Sequence, residues 1–203
     1  LTSGWNYELV DGKVKAYCYN ITKREMVWEK KGFTNDKDAS KHAPIIIENN
    51  KVIFQSMRAI HCMDIASGEL VWQHEFMPNS ISMTPLLYYN GKLFSRMQGS
   101  EVYCYDAQSG QVLWSNVSIQ AYPAPGGRMD AYQDKLYLTA SPDDGYVYLY
   151  CVSINTGELL WQDKGPAGEI QGGLIIDQQT GYLYCNSDWS IMCIDLNKSP
   201  KKT

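Results

Sequence analysis

The chain has 203 residues, 44% of them hydrophobic and 20% charged, the composition of a folded globular protein rather than a disordered one. Its net charge is −4 and no basic block is longer than the terminal Lys201-Lys202 pair, which argues against nucleic acid or an anionic membrane as the main partner. Apolar runs such as Ile45-Ile46-Ile47 are far too short to span a bilayer, so no transmembrane segment is expected.

The chain opens at Leu1 rather than Met, and it reads as a processed or trimmed product with room ahead of it for an address or a lipid anchor. Its first recognisable unit is CYNITKREMVW (18–28), the weakest copy of a segment that recurs along the chain. Clearer copies are CMDIASGELVW (62–72), CYDAQSGQVLW (104–114) and CVSINTGELLW (151–161). A fifth, CIDLNKSPKKT, starts at Cys193 and stops where its Trp would come. Each full copy places Cys ten residues before Trp, and successive Cys lie 44, 42, 47 and 42 residues apart. That is the blade-length period of a β-propeller, so the expectation is one all-β domain over 1–203 with repeats near 1–30, 43–74, 84–116, 124–163 and 170–203. The first copy lacks an innermost strand and the fifth an outermost one. Either five unequal blades close a ring, or the chain is a slice of a larger propeller.

Within each period the pattern predicts four short antiparallel strands, A to D. In the second repeat they fall at 44–48, 52–56, 59–64 and 69–74. Asn49-Asn50, Asn90-Gly91 and Gln133-Asp134 mark A–B hairpins, and Asp144-Gly145 marks a B–C hairpin. In the C–D turns, Asn20, Asp64, Asp106 and Asp195 are placed to accept backbone N–H groups, and Gly68, Gly110 and Gly157 supply a left-handed exit. Arg24 replaces that Gly in the first copy, and Ser153 replaces the Asp in the fourth. Those two turns should be looser.

The recurring small-x-Asp-x-x-Thr/Ser-Gly-x-x-x-Trp pattern resembles the tryptophan-docking motif of the pyrroloquinoline-quinone-type (quinoprotein-like) β-propellers. It covers nearly the whole chain and is strongest over 44–161. The resemblance implies that Trp28, Trp72, Trp114 and Trp161 are buried structural residues closing the seams between blades. An indole suits that task because burying it removes ~150–250 Å² from water. It also implies that Cys18, Cys62, Cys104, Cys151 and Cys193 fill a small buried slot on strand C that the family gives to Ala. Equivalent slots on different blades lie beyond the ~7 Å Cα limit for a disulfide. Cys185 with Cys193 is the one pair left open as a bridge. Without a CxxC motif no zinc or thioredoxin-type site is indicated. The sequons at Asn20, Asn116 and Asn197 read as chance.

Candidate chemistry is sparse. The D–A connections, 29–43, 75–84, 115–124 and 162–173, are long and irregular, and function on a rigid scaffold favours such loops. They bring forward His42, His74, Phe76, Met77 and Tyr122 as candidate binding residues, with Arg128 just beyond the third. Asp36, Asp38 and Glu169 lie on the same loops. No metal-ligand spacing, nucleophile elbow or phosphate-cradling loop appears, and the paired glycines of APGGRMD (124–130) read as a loop or bulge. Quinone-dependent members of the family imply a calcium ion, a catalytic Asp and adjacent cysteines. This chain has no Cys-Cys pair, and Asp143-Asp144-Gly145 reads as a solvated hairpin tip. The expectation is therefore a non-enzymatic scaffold with no cofactor, no metal and no catalytic residue, which binds a protein partner. The alternatives are a ligand- or glycan-binding propeller and a degenerate quinoprotein dehydrogenase. Unpaired thiols favour a reducing, cytoplasmic setting. The resemblance implies the bacterial envelope, periplasmic or cell-surface, and is given more weight.

Overall fold

The computed structural model describes residues 15–31, 46–56, 58–77, 80, 82, 84–97, 101–116, 119, 128–140, 146–167, 173–186 and 190–198. These form five antiparallel sheets and no helix. The first has β1 (Lys15–Asn20) and β2 (Glu25–Lys31). The second has β3 (Ile46–Glu48), β4 (Lys51–Gln55), β5 (Ala59–Asp64) and β6 (Leu70–Glu75). The third has β7 (Leu87–Tyr89), β8 (Lys92–Arg96), β9 (Val102–Asp106) and β10 (Val112–Asn116). The fourth has β11 (Met129–Tyr132), β12 (Lys135–Ala140), β13 (Tyr146–Ser153) and β14 (Leu159–Ala167). The fifth has β15 (Leu174–Asp177), β16 (Tyr182–Asn186) and β17 (Ile191–Asp195). Strands pair in chain order, so each sheet is a meander, and in the second sheet the predicted B, C and D strands fall within one residue of β4, β5 and β6.

The chain divides into two compact units, Leu1–Asn79 with the first two sheets and Ser80–Thr203 with the other three. In the first unit Val52, Phe54 and Met63 pack with Ala16, Trp28 and Ile65, joining sheet one to sheet two. In the second, Phe94, Val102 and Cys104 of sheet three meet Met129, Ala131, Leu136, Leu138 and Val152 of sheet four. On the far face of sheet four, Tyr137, Leu149 and Cys151 meet Leu174, Ile176, Leu183 and Cys185 of sheet five. Central strands between two sheets are therefore apolar at nearly every residue instead of alternating, as in β12.

The turns obey their local chemistry. Asn49 and Asn50 are both left-handed (φ 47° and 61°), as are Asn90, Gly91 and Gln133, which fits the twist of tight hairpins. In the C–D turns Asp64 accepts from the N–H groups of Ala66 (3.0 Å) and Ser67 (2.8 Å) and from the Ser67 hydroxyl. Asp106 repeats this with Gln108 and Ser109. Asn20 and Ser153 each accept one backbone N–H, from Lys23 (3.0 Å) and Thr156 (3.2 Å). The first turn still closes because Arg24 itself takes φ 56°. Asp144-Gly145 lies outside the described residues.

A further regularity has no counterpart in the sequence pattern. In all four sheets that carry a D strand, the register between strands C and D slips at the same repeat position. Cys18, Cys62, Cys104 and Cys151 stand opposite Trp28, Trp72, Trp114 and Trp161, while the next C-strand residue stands opposite the residue two before the Trp. Val27, Val71, Leu113 and Leu160 are thus the extra residues of four equivalent β-bulges, each about half exposed. A bulge bends its strand and re-aims the next side chain, here the tryptophan.

Candidate functional site

The repeated tryptophans are the best-defined site, and their role is structural. Trp28 Nε1 donates to the Ile65 carbonyl at 2.8 Å, and Trp114 Nε1 donates to the equivalent Ile154 carbonyl at 2.8 Å. Each indole lies over the glycine three residues beyond that carbonyl: a Cβ at Gly68 would sit 2.5 Å from the Trp28 ring, and one at Gly157 2.5 Å from the Trp114 ring. The N–H groups of Ile65 and Ile154 meanwhile donate to Asn50 and Asp134 carbonyls, tying the C–D turn to the A–B turn of the same sheet. Asn116 adds a side-chain hydrogen bond to the Gly157 carbonyl. Trp161 packs edge-on to Tyr137 (centroids 6.0 Å apart) and against the sheet-five core. Full burial is not observed, however. All four indoles, Trp72 included, are half-buried.

The thiol expectations need a similar correction. All six cysteines are free, but only Cys62, Cys104 and Cys151 of the repeat-slot five are buried. Burial pushes their thiols up to about 11, about 12 and about 11. Cys18 is half-buried and Cys193 exposed, because no described sheet covers β17 on that side. Cys185 pairs with Met192, one residue out of step with Cys193, so the two thiols point to opposite faces and no bridge forms. The sequon side chains Asn20, Asn116 and Asn197 are all engaged in turn or inter-sheet hydrogen bonds.

Of the candidate binding residues, the structure brings three together. His74 is the last residue but one of β6, with its ring 6.3 Å from Phe76, and Met77 beyond the strand is 67% exposed. The Phe76 N–H donates to the Arg58 carbonyl at 2.7 Å, so the D-strand exit and the B–C turn lie at one end of this sheet. Phe76 itself is half-buried, and partial burial lowers the His74 pKa. Arg128 is exposed, and its stem approaches Gly173, where a Cβ would lie 3.2 Å from Cδ. His42, Tyr122, Asp36, Asp38, Glu169, residues 124–127 and Asp143 lie outside the described residues.

Two buried polar features were not anticipated from the sequence. His61 on β5 is fully buried, stacked on Phe54 (5.0 Å), with Nε2 3.2 Å from Ser56 Oγ. Burial drives its pKa down to about 4 against an opposing hydrogen bond from Gln73. Both members of this Ser–His pair are buried, and Ser56 Oγ accepts the Ala59 N–H at 3.1 Å within the B–C turn. Arg96 on β8 is likewise buried, its Nη1 donating to the Thr139 carbonyl at 2.8 Å, and burial lowers its pKa to about 10. It remains a cation at neutral pH and staples sheet three to sheet four. Its repeat equivalents are Gln55 and Thr139, both buried. The available signal was a polar residue two positions after the B-strand residue that pairs with Cys, in strands otherwise apolar.

Asp64, Asp106, Asp177 and Asp195 each accept N–H groups of their own turns, and Asp130 accepts the Ile176 N–H across to sheet five. Among the described residues no three His, Cys, Asp or Glu are grouped to hold a metal ion.

Recurring four-stranded meanders with an indole of one sheet hydrogen-bonded to the C–D turn of the next define a quinoprotein-like β-propeller repeat protein. The chain belongs to the family described as outer membrane protein assembly factor BamB, whose family model matches residues 10–197. Solved structures agree on the fold. BamB from Moraxella catarrhalis aligns with a TM-score of 0.63 at 17% identity, over 85% of this chain and 50% of that one. The computationally designed Ika4 protein aligns at 0.62 and 18% identity, over 78% of this chain and 92% of its own. The quinohemoprotein alcohol dehydrogenase ADHIIG from Pseudomonas putida HK5 aligns at 0.61 and 13% identity, over 78% of this chain and 33% of that one. The chain thus spans half the length of the Moraxella protein. No curated protein matches by sequence.

Proposed function

We propose that the chain is a non-enzymatic propeller scaffold that binds other proteins in the bacterial cell envelope, periplasmic or at the cell surface. Membership of the BamB family over residues 10–197 is the observation that carries this reading. The family is described by its part in assembling outer membrane proteins, and a scaffold role suits a chain whose Asp64 and Asp106 are committed to closing turns. The partner face is the end of the second sheet where His74, Phe76 and Met77 emerge beside Arg58. A Met two-thirds exposed next to an aromatic ring is the chemistry of an interaction surface. His42 and Tyr122 belong to the same class of loop, with Arg128 just beyond one, and all three are proposed as further contacts.

Photo-crosslinking from position 77 in intact cells tests this. The expected product is a discrete adduct with an envelope protein. No adduct from position 77, together with stoichiometric binding of pyrroloquinoline quinone and calcium in calorimetry, would replace the scaffold with a quinoprotein enzyme.

A further inference from the structure

The buried His61 ring is tied by hydrogen bonds to the end of the second sheet at which Phe76 and Met77 emerge. Its Nε2 lies 3.2 Å from Ser56 Oγ. That oxygen accepts the N–H groups of Ala59 (3.1 Å) and Arg58 (3.4 Å), and the Ser56 N–H donates to the Ala59 carbonyl at 2.8 Å. The Arg58 carbonyl in turn accepts the Phe76 N–H at 2.7 Å, which ties the B–C turn to the exit of β6. One chain of bonds therefore runs from a buried imidazole to an exposed sheet end.

We propose that His61 is an acid-operated latch, whose protonation opens the B–C turn of the second sheet together with the strand exit that carries Phe76 and Met77. A neutral ring can accept the Ser56 hydroxyl proton at Nε2, whereas an imidazolium only donates there. Ser56 Oγ has two lone pairs and already receives two backbone N–H groups, so the turn and the charged ring compete for one oxygen. The charge must otherwise be hydrated, and the turn, with Arg58 exposed, is where the chain of bonds meets solvent. Opened to water the ring takes a proton near pH 6.5, but enclosed only at about 4, so opening is increasingly favoured as the pH falls between those values.

The other groups around the ring are few. On its face β4 presents Val52 and Phe54, β5 presents Ala59 and Met63, and β6 presents Gln73 and Glu75. Of these only Glu75 is charged, and it accepts the Gln73 side-chain amide at 3.1 Å. Sheet one packs on this face through Ala16 and Trp28, with Cys18 and Lys30 on the same side of its strands, and Lys30 is bonded to Glu69. His74 stands opposite Ile60 and so points to the other face. Acid would also release a protein held at Phe76 and Met77, a consequence that rests on the partner face proposed above.

Backbone amide exchange of the whole protein, expressed as protection so that the intrinsic effect of pH cancels, tests the latch. Between pH 7 and pH 4 the Ala59 and Phe76 amides should lose protection roughly hundredfold, through an opening that low urea does not accelerate. Ile65, bonded to the Asn50 carbonyl at the opposite end of the sheet, should stay better protected. His61→Gln should abolish the loss, and His74→Gln and Glu75→Gln should keep it. No loss on acidification, or a loss that survives His61→Gln, would overturn the proposal. So would one protection value shared with Ile65 and a steep urea dependence, which is unfolding of the whole sheet. Should His61→Gln fail to fold, the wild-type urea dependence and the other two variants decide. The crosslinked adduct from position 77 should form at pH 7 and not at pH 4, and equal yields would overturn release of the partner. Absence of the adduct at both pH values would count against the partner face, and amide exchange alone then decides the latch.

Discussion

Trp114 and Gly157 fit together so closely that the glycine's missing side chain is part of the contact: its Cβ would fall 2.5 Å from the indole Cε3. The same glycine holds φ 77°, a conformation that costs an L-residue about 1–2 kcal/mol. Trp28 and Gly68 repeat the arrangement in the other unit. Two separate constraints, one steric and one conformational, thus converge on one position of the repeat.

Gly157→Ala should lose about 2–4 kcal/mol, the sum of the backbone term and forced movement of a packed ring. Gly91 has the same φ, 77°, but open space around its missing Cβ. Gly91→Ala should therefore show only the backbone term, about 1–2 kcal/mol. Urea midpoints of the two variants measure the difference, and equal losses would mean that the ring contact contributes nothing.

Trp114→Ala should cost about 3–5 kcal/mol, as large core truncations do. Trp114→Phe keeps most of the apolar contact but forfeits the bond to the Ile154 carbonyl, so a loss of about 1–2 kcal/mol is expected. If Phe is as damaging as Ala, the hydrogen bond rather than the packing holds this seam.

Stability should fall on mild acidification because of His61. Unfolded, the ring takes up a proton near 6.5; folded, burial delays that to about 4. Its neutral form is favoured in the native state, so the stability it permits is complete above pH 6.5 and drains away as the pH drops toward 4. The full shift corresponds to about 3 kcal/mol. His61→Gln should flatten this part of the profile, and the readout is the difference between the two proteins' midpoints at pH 7 and pH 4.5. A constant difference would place the titration elsewhere.

Met77→Asp should leave the melting temperature unchanged while weakening capture of the proposed protein partner, since the side chain is largely in water. Phe76→Ala should lower stability by about 1 kcal/mol as well, because its ring is half-buried beside His74. A Met77→Asp protein that captures the partner normally would move the binding face away from this sheet end.

Much of the fold was legible because the repeat wrote its own register. The Cys-to-Trp spacing located strands C and D, and asparagines and glycines located the hairpins, each through local chemistry that needs no tertiary contact. What stayed hidden depends on neighbours. The bulges at Val27, Val71, Leu113 and Leu160 look like ordinary aliphatic positions, since a bulge is a property of pairing and not of one strand's composition. Arg96 reads as a surface cation until the Thr139 carbonyl of the adjacent sheet is beside it. His61 and His74 sit on neighbouring strands of one sheet, and only burial separates a core ring from a candidate contact. The expected full burial of the tryptophans failed for a related reason: spacing shows which residues face a seam but not how deep the seam is.

The four bulges also bear on how the outer strands would meet another chain. β2, β6, β10 and β14 are outer strands, each paired on one side only among the described residues, and they carry exposed aliphatic pairs such as Leu70-Val71 and Val112-Leu113. A straight strand of that kind is a template on which another chain can zip, and several on one molecule would make it multivalent for fibre growth. A kink at each Val or Leu before the Trp interrupts the template after two or three residues. A bulge that re-aims the indole therefore also works against edge-to-edge pairing of the outer strand, so straightening one by deleting Leu113 should produce aggregates and not merely a loss of stability.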